Sequence, residues 1–120
     1  MARLRAVQPW ALAELATGLA LLAIPATVIE ALVGPSDATS SLVGRVLGAT
    51  LVSLGLAALS DREAPGRGIV LGFVVYYALT TVILAAAGIA GTADGFLLWP
   101  VVALHALGGA VLALGSRSTS

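Results

Sequence analysis

The sequence predicts an all-α protein, an antiparallel four-helix transmembrane bundle forming one domain over residues 1–120, with both termini cytoplasmic. Three observations lead there. Of 120 residues, 59% are hydrophobic and only 10% charged, which leaves too few polar groups to cover a water-soluble surface. The apolar residues fall into runs at about 10–33, 41–60, 68–91 and 96–115, each long enough to cross about 30 Å of hydrocarbon as a helix. The polar breaks between these runs are short, so consecutive helices must run antiparallel.

The first run, "WALAELATGLALLAIPATVIEALV", contains Pro25. Its ring opposes the Leu21 carbonyl and it lacks an N–H for the helical ladder, so a kink is expected there. The beginning of the chain also has the layout of a secretory signal: Arg3 and Arg5, an apolar core over 15–24 and small residues near Ala26. Cleavage there would leave three helices. A retained helix is preferred, because the apolar run continues through Val28, Ile29, Leu32 and Val33.

"GPSDATS" (34–40) offers a turn and N-capping residues to the second run, "SLVGRVLGATLVSLGLAALS". Gly44, Gly48 and Gly55 lie near one face of that helix, and in lipid such small residues let a neighbouring helix approach closely. Packing inside the bundle is expected of them before a dimer seam. Most of the interior charge lies in "DREAPGR" (61–67), while "TAD" (92–94) is barely a turn. Gly68 and Gly72 in the third run, and Gly108 and Gly109 in the fourth, repeat the small-residue pattern. Arg3, Arg5, Arg62, Arg67 and Arg117 fall on one side of this topology and Arg45 alone on the other. Basic residues resist translocation, and this asymmetry sets the expected orientation.

Composition removes several classes of chemistry. All six basic residues are arginine, so Schiff-base chemistry on a lysine amine is excluded. The absence of cysteine excludes thiol catalysis, disulfides, iron–sulfur clusters and c-type haem attachment. A net charge of zero without a basic run makes nucleic acid an unsuitable partner.

Ionisable groups inside a membrane are costly and are therefore functional candidates by default. Glu14, one turn beyond Trp10, reads as an interfacial carboxylate about 6 Å inside the cytoplasmic edge. Glu30 and Arg45 flank the first loop, so a rim ion pair is expected between them, with Asp94 able to join it. His105, the only histidine, lies about 13 Å from the outer edge, near the bilayer midplane. Tyr76, Tyr77, Thr80 and Thr81 share its depth, and their hydroxyls can bond a neutral imidazole. Two roles are open to this group. One is an interhelical hydrogen bond that fixes the register of two helices. The other is binding of a haem, quinone or substrate, or a proton relay toward Glu30 or Glu14. The first is preferred. No metal site is expected, since a second histidine and a carboxylate at ligand spacing are both lacking.

In "GRVLGATLVSLGLAAL", "GIVLGFVVYYALTTVILAAAG" and "LLWPVVALHALGGAVLAL" the chain resembles small four-helix bacterial membrane proteins of the DoxX-like and related domain-of-unknown-function type. The matching features are Arg45 with Leu47-Gly48-Ala49, Tyr76, and Trp99-Pro100 ahead of His105. The chain departs from the group at Tyr77, where asparagine is expected. The resemblance implies a multi-pass protein of the bacterial cytoplasmic membrane and supplies no activity.

The expected role is association in the bilayer, as an accessory or scaffold subunit of a membrane complex or as a homo-oligomer, with no catalytic residue and no cofactor assigned. The alternative is a binder of a small hydrophobic ligand or cofactor (quinone, haem or lipid) centred on His105, with a redox or proton-transfer role.

Overall fold

The computed structural model describes residues 2–60 and 66–117, with side chains over 7–60 and 66–116. Residues 61–65, with Arg62, and the side chains of Arg3, Arg5 and Arg117, on which the expected orientation rests, lie outside these residues. The described chain is all helical: α1 (Ala2–Ala23), α2 (Pro25–Val33), α3 (Ala38–Ser60), α4 (Arg67–Ile89) and α5 (Leu98–Arg117). By length and apolarity α3, α4 and α5 are each able to cross a membrane, and α1 with α2 can form a fourth, broken span.

The kink expected at Pro25 is a complete break. Ile24 leaves the helical region at φ −134° and ψ 56°, and Pro25 opens a new helix at its first position, where no N–H is required. The axis turns by 115° between the two pieces. The far end of α2 is tied to the α4–α5 connection, because the Leu97 N–H donates to the Ala31 carbonyl at 2.8 Å and the Asp94 N–H to the Val33 carbonyl at 3.3 Å. These bonds satisfy carbonyls that the helix end would otherwise leave open.

Local signals account for the other boundaries. Asp37 caps α3: its carboxylate accepts the Ser40 N–H at 2.7 Å, and the Ser40 hydroxyl oxygen accepts the Asp37 N–H at 2.9 Å. This reciprocal pair is the capping-box arrangement with serine in the returning role. The hydrogen bonds from Ser40 hold the Asp37 carboxyl below the ordinary aspartate range. Helix α4 ends at Gly91 with φ +70°, where the Gly91 N–H donates to Gly88 O at 3.2 Å and the Thr92 N–H to Ala87 O at 3.0 Å. A left-handed residue followed by these two bonds is a Schellman ending, which glycine adopts without steric cost.

The helices associate as two pairs. α1 lies along α3, α4 lies along α5, and the contacts between the pairs, chiefly α1 with α5, are far fewer. The α1–α3 seam follows a repeating spacing of four and three residues. On α1 the buried positions are Val7, Ala11, Glu14, Gly18 and Leu21; on α3 they are Gly44, Gly48, Leu51, Gly55 and Ala58. That spacing keeps one face turned to the partner helix. Small residues bring the backbones together: a Cβ on Gly48 would stand 2.7 Å from Gly18 O, and one on Gly55 2.9 Å from Ala11 O. Gly44 is covered by Ile29 and Pro25 of α2. These glycines thus serve packing within the chain, whereas Gly68 and Gly72 face open space.

The large apolar side chains are turned outward. Leu42, Val46, Val82, Ile83 and Leu114 are each more than 60% exposed, as expected where lipid is the solvent.

The seam gives a direct prediction. Gly48→Leu forces α1 and α3 apart and lowers stability by about 3 kcal/mol or abolishes folding, while Gly72→Leu stays within about 0.5 kcal/mol of the parent. Reversible unfolding in mixed micelles, followed by circular dichroism, measures both.

Candidate functional site

Where α1 meets the α4–α5 pair, three helices contribute polar side chains near their midpoints. α5 supplies His105, α4 supplies Tyr76 and Tyr77, and α1 supplies Glu14. Gly108 opens the space: a Cβ there would lie 2.8 Å from Tyr77 Cε2 and 2.9 Å from Trp10 Cζ3. The phenol ring of Tyr77 fills that space and is almost wholly buried. It makes edge contacts with Trp10, Phe73 and His105, at centroid distances of 5.8, 5.9 and 4.9 Å. Tyr76 stands beside both, 5.4 Å from Tyr77 and 5.7 Å from His105. Such edge arrangements add about 1 kcal/mol each beyond area burial.

The imidazole is held by its own helix. Nδ1 lies 2.9 Å from the Val101 carbonyl oxygen, which can only accept, so Nδ1 carries a hydrogen. Nε2 is buried without a hydrogen-bond partner and points toward Glu14 Oε1 at 3.8 Å. The Glu14 side chain is itself only 6% exposed. The hydroxyls of Tyr77 and Tyr76 approach the same carboxyl as donors, and Thr80 stands next to the Tyr76 phenol. Thr81 donates to its own helix at Tyr77 O, 2.7 Å away. The cluster can therefore hold a proton between an acid and a base, and it can pin three helices in one register.

Of the residues singled out from the sequence, His105, Tyr76 and Tyr77 come together, Thr80 lies at the edge, and Thr81 faces an adjoining groove. Glu14 corrects the expectation of an interfacial carboxylate. A helix starting at Trp10 would put it near the membrane edge, but α1 begins at Ala2, so Glu14 is mid-helix on the buried stripe. The signal was present in the four-and-three spacing of Val7, Ala11, Glu14, Gly18 and Leu21, which puts the carboxylate on the same face as two small residues and two aliphatic ones.

The rim ion pair is not formed. Glu30 accepts the Ser36 hydroxyl at 3.1 Å, and Arg45 is exposed on α3 with no partner among the described residues. Asp94 stands against Gly34, where its carboxylate occupies the place of a Cβ. The break at Pro25 is the cause: it turns α2 across the end of the bundle, so Glu30 does not continue the axis of α1 beside the start of α3.

On the outer side of His105, an open groove of about 400 Å³ runs between α4 and α5. Val74, Ala78, Thr81, Gly109 and Ala110 line it with His105, and its walls are almost entirely apolar. Neither imidazole nitrogen is free toward it, since Nδ1 is bonded to Val101 and Nε2 is sealed against Glu14. No group of three potential metal ligands occurs among the described residues.

The cluster separates ring packing from hydrogen bonding at Tyr77. Tyr77→Ala should cost about 3–5 kcal/mol, as other buried aromatic truncations do, and Tyr77→Phe about 1 kcal/mol, the scale of one interhelical hydrogen bond in lipid. Equal losses in detergent unfolding would show that the ring contributes nothing beyond its hydroxyl.

No known protein family, curated protein or solved structure matches this chain.

Proposed function

We propose that the protein is a small multi-pass membrane protein that acts by association, as an accessory or scaffold subunit, and that the α4–α5 groove seats a transmembrane helix of its partner. In this reading α1, α3, α4 and α5 span the bilayer as an antiparallel four-helix bundle and α2 lies across its outer end. Both termini face the cytoplasm, as the arginine distribution favours. The likeness to DoxX-like proteins supports a bacterial inner membrane.

One observation carries this proposal. The glycine seam of α3 is already covered by α1 and α2, whereas Ala78, Ala106 and Ala110 on the α4–α5 face are left exposed. In lipid, small residues on an open face let a second backbone approach, and dispersion and weak polar contacts then replace the missing hydrophobic drive. The partner is either a second copy or another membrane protein.

A second reading places a small hydrophobic ligand in the same groove, since His105 and Thr81 form part of its wall. The ring geometry supports a quinone or lipid chain over haem, because no imidazole nitrogen is directed at the groove to ligate iron.

Ala110→Phe distinguishes these. The protein purified from its native membrane in mild detergent should form a stoichiometric protein complex that Ala110→Phe dissolves and the control Leu114→Phe preserves. A monomer that carries a stoichiometric quinone or lipid, lost in Ala110→Phe, would replace the association reading with the ligand reading.

A further inference from the structure

We propose that Glu14 and His105 form an intramembrane proton-binding site that holds a single proton on the Glu14 carboxyl, donated to His105 Nε2, so that the pair is electrically neutral. The inference concerns the buried cluster alone and does not depend on what occupies the α4–α5 groove.

Nδ1 spends its hydrogen on the Val101 carbonyl, so the neutral ring presents Nε2 as an acceptor only. Among the described residues no hydroxyl or amide lies within hydrogen-bonding distance of Nε2, and Glu14 Oε1 faces it at 3.8 Å. An ionised carboxylate is also only an acceptor. Two acceptors facing each other in a sealed site leave both unsatisfied and one negative charge buried. One proton resolves both problems. A carboxylic acid has one donor for Nε2 and keeps lone pairs that accept the Tyr77 and Tyr76 hydroxyls. The flexible Glu14 side chain closes the remaining gap by a small torsional change.

The same proton could sit on Nε2, giving an imidazolium beside a carboxylate. Separated charges in hydrocarbon carry a desolvation cost that neutral partners avoid, which decides in favour of the acid and the neutral ring. Among the described residues no other charged side chain faces the pair. α4 faces the pair with Tyr76 and Tyr77, α5 with His105 itself and α1 with Glu14. The only ionisable side chain described on α3 is Arg45, which is exposed near the start of that helix.

Because Glu14 belongs to the α1–α3 pair and His105 to the α4–α5 pair, proton occupancy and contact between the pairs are linked. Removing the proton, or adding a second, leaves a net charge at the seam and weakens it. Linkage requires the converse as well: opening the seam releases the pair to titrate.

The single histidine makes the test direct, since 15N-histidine labelling of the full chain in lipid bilayers gives the signals of His105 alone. The proposal expects Nδ1 protonated and Nε2 unprotonated but hydrogen-bonded, unchanged between about pH 5 and 8, the range in which an ordinary imidazole titrates. Glu14→Gln should preserve that pattern, because its amide donates to Nε2 as the acid does. Glu14→Ala should move Nε2 to the position of a bare, unprotonated nitrogen. Protonation of both nitrogens at neutral pH, a second proton gained across that pH range, or an Nε2 signal indifferent to Glu14→Ala would each overturn the proposal. If Glu14→Ala fails to fold, the pH series on the natural chain and Glu14→Gln decide.

Discussion

The constraint on which the rest depends is the burial of an acid and a base, Glu14 and His105, where two helix pairs meet inside an apolar protein. Each pair is internally close-packed, α1 on α3 and α4 on α5, and the pairs meet over a buried apolar cluster of Val7 and Ala11 of α1, Ala58 of α3, Phe73 and Tyr77 of α4 and Leu112 of α5. In lipid, apolar surface gains little by leaving the solvent, so that cluster acts through close packing and not through a hydrophobic drive. Polar groups supply what is missing: with no water nearby, each must find its partner across the seam. Glu14 reaching over to His105, Tyr76 and Tyr77, with Trp10 packed on Tyr77, is the one polar cluster described at that seam.

Other features follow as conditions for that meeting. Gly108 makes room for the Tyr77 and Trp10 rings, and without it α5 would stand off from both. Gly18, Gly48 and Gly55 draw α1 against α3 and fix the rotation of α1, which turns Glu14 inward and not toward lipid. The break at Pro25 ends α1 and sends α2 across the bundle end, where its carbonyls take the N–H groups of Asp94 and Leu97. The result is a molecule with an apolar exterior and an apolar core into which one carboxyl group, that of Glu14, is set among the described residues.

Much of this was legible in the residues, and the failures have specific causes. Helical class and long apolar segments follow from composition and run length, which lipid thickness constrains tightly. The glycines of α3 were readable as a packing face because their spacing alone defines one. His105 with Tyr76 and Tyr77 was accessible from depth counting along two antiparallel helices. Glu14 was misplaced because depth counting needs a starting point, and the true start of α1 lies eight residues before Trp10. The Glu30–Arg45 pair failed because loop length constrains distance but not direction, and a proline can redirect an entire segment. The exposed small residues Ala78, Ala106 and Ala110 were not recognisable as a groove, since an open face becomes visible only once the other faces are filled.

The central claim is that the two helix pairs are held together through Glu14 and His105, and a double-mutant cycle tests it most directly. Glu14→Ala, His105→Ala and the double variant would be compared by reversible unfolding in mixed micelles. The account predicts strong coupling, with the double variant little worse than either single variant and an interaction energy above about 0.5 kcal/mol. Additive losses, equal within about 0.3 kcal/mol to the sum of the singles, would mean that the two residues do not act on each other and that the seam is held by something else.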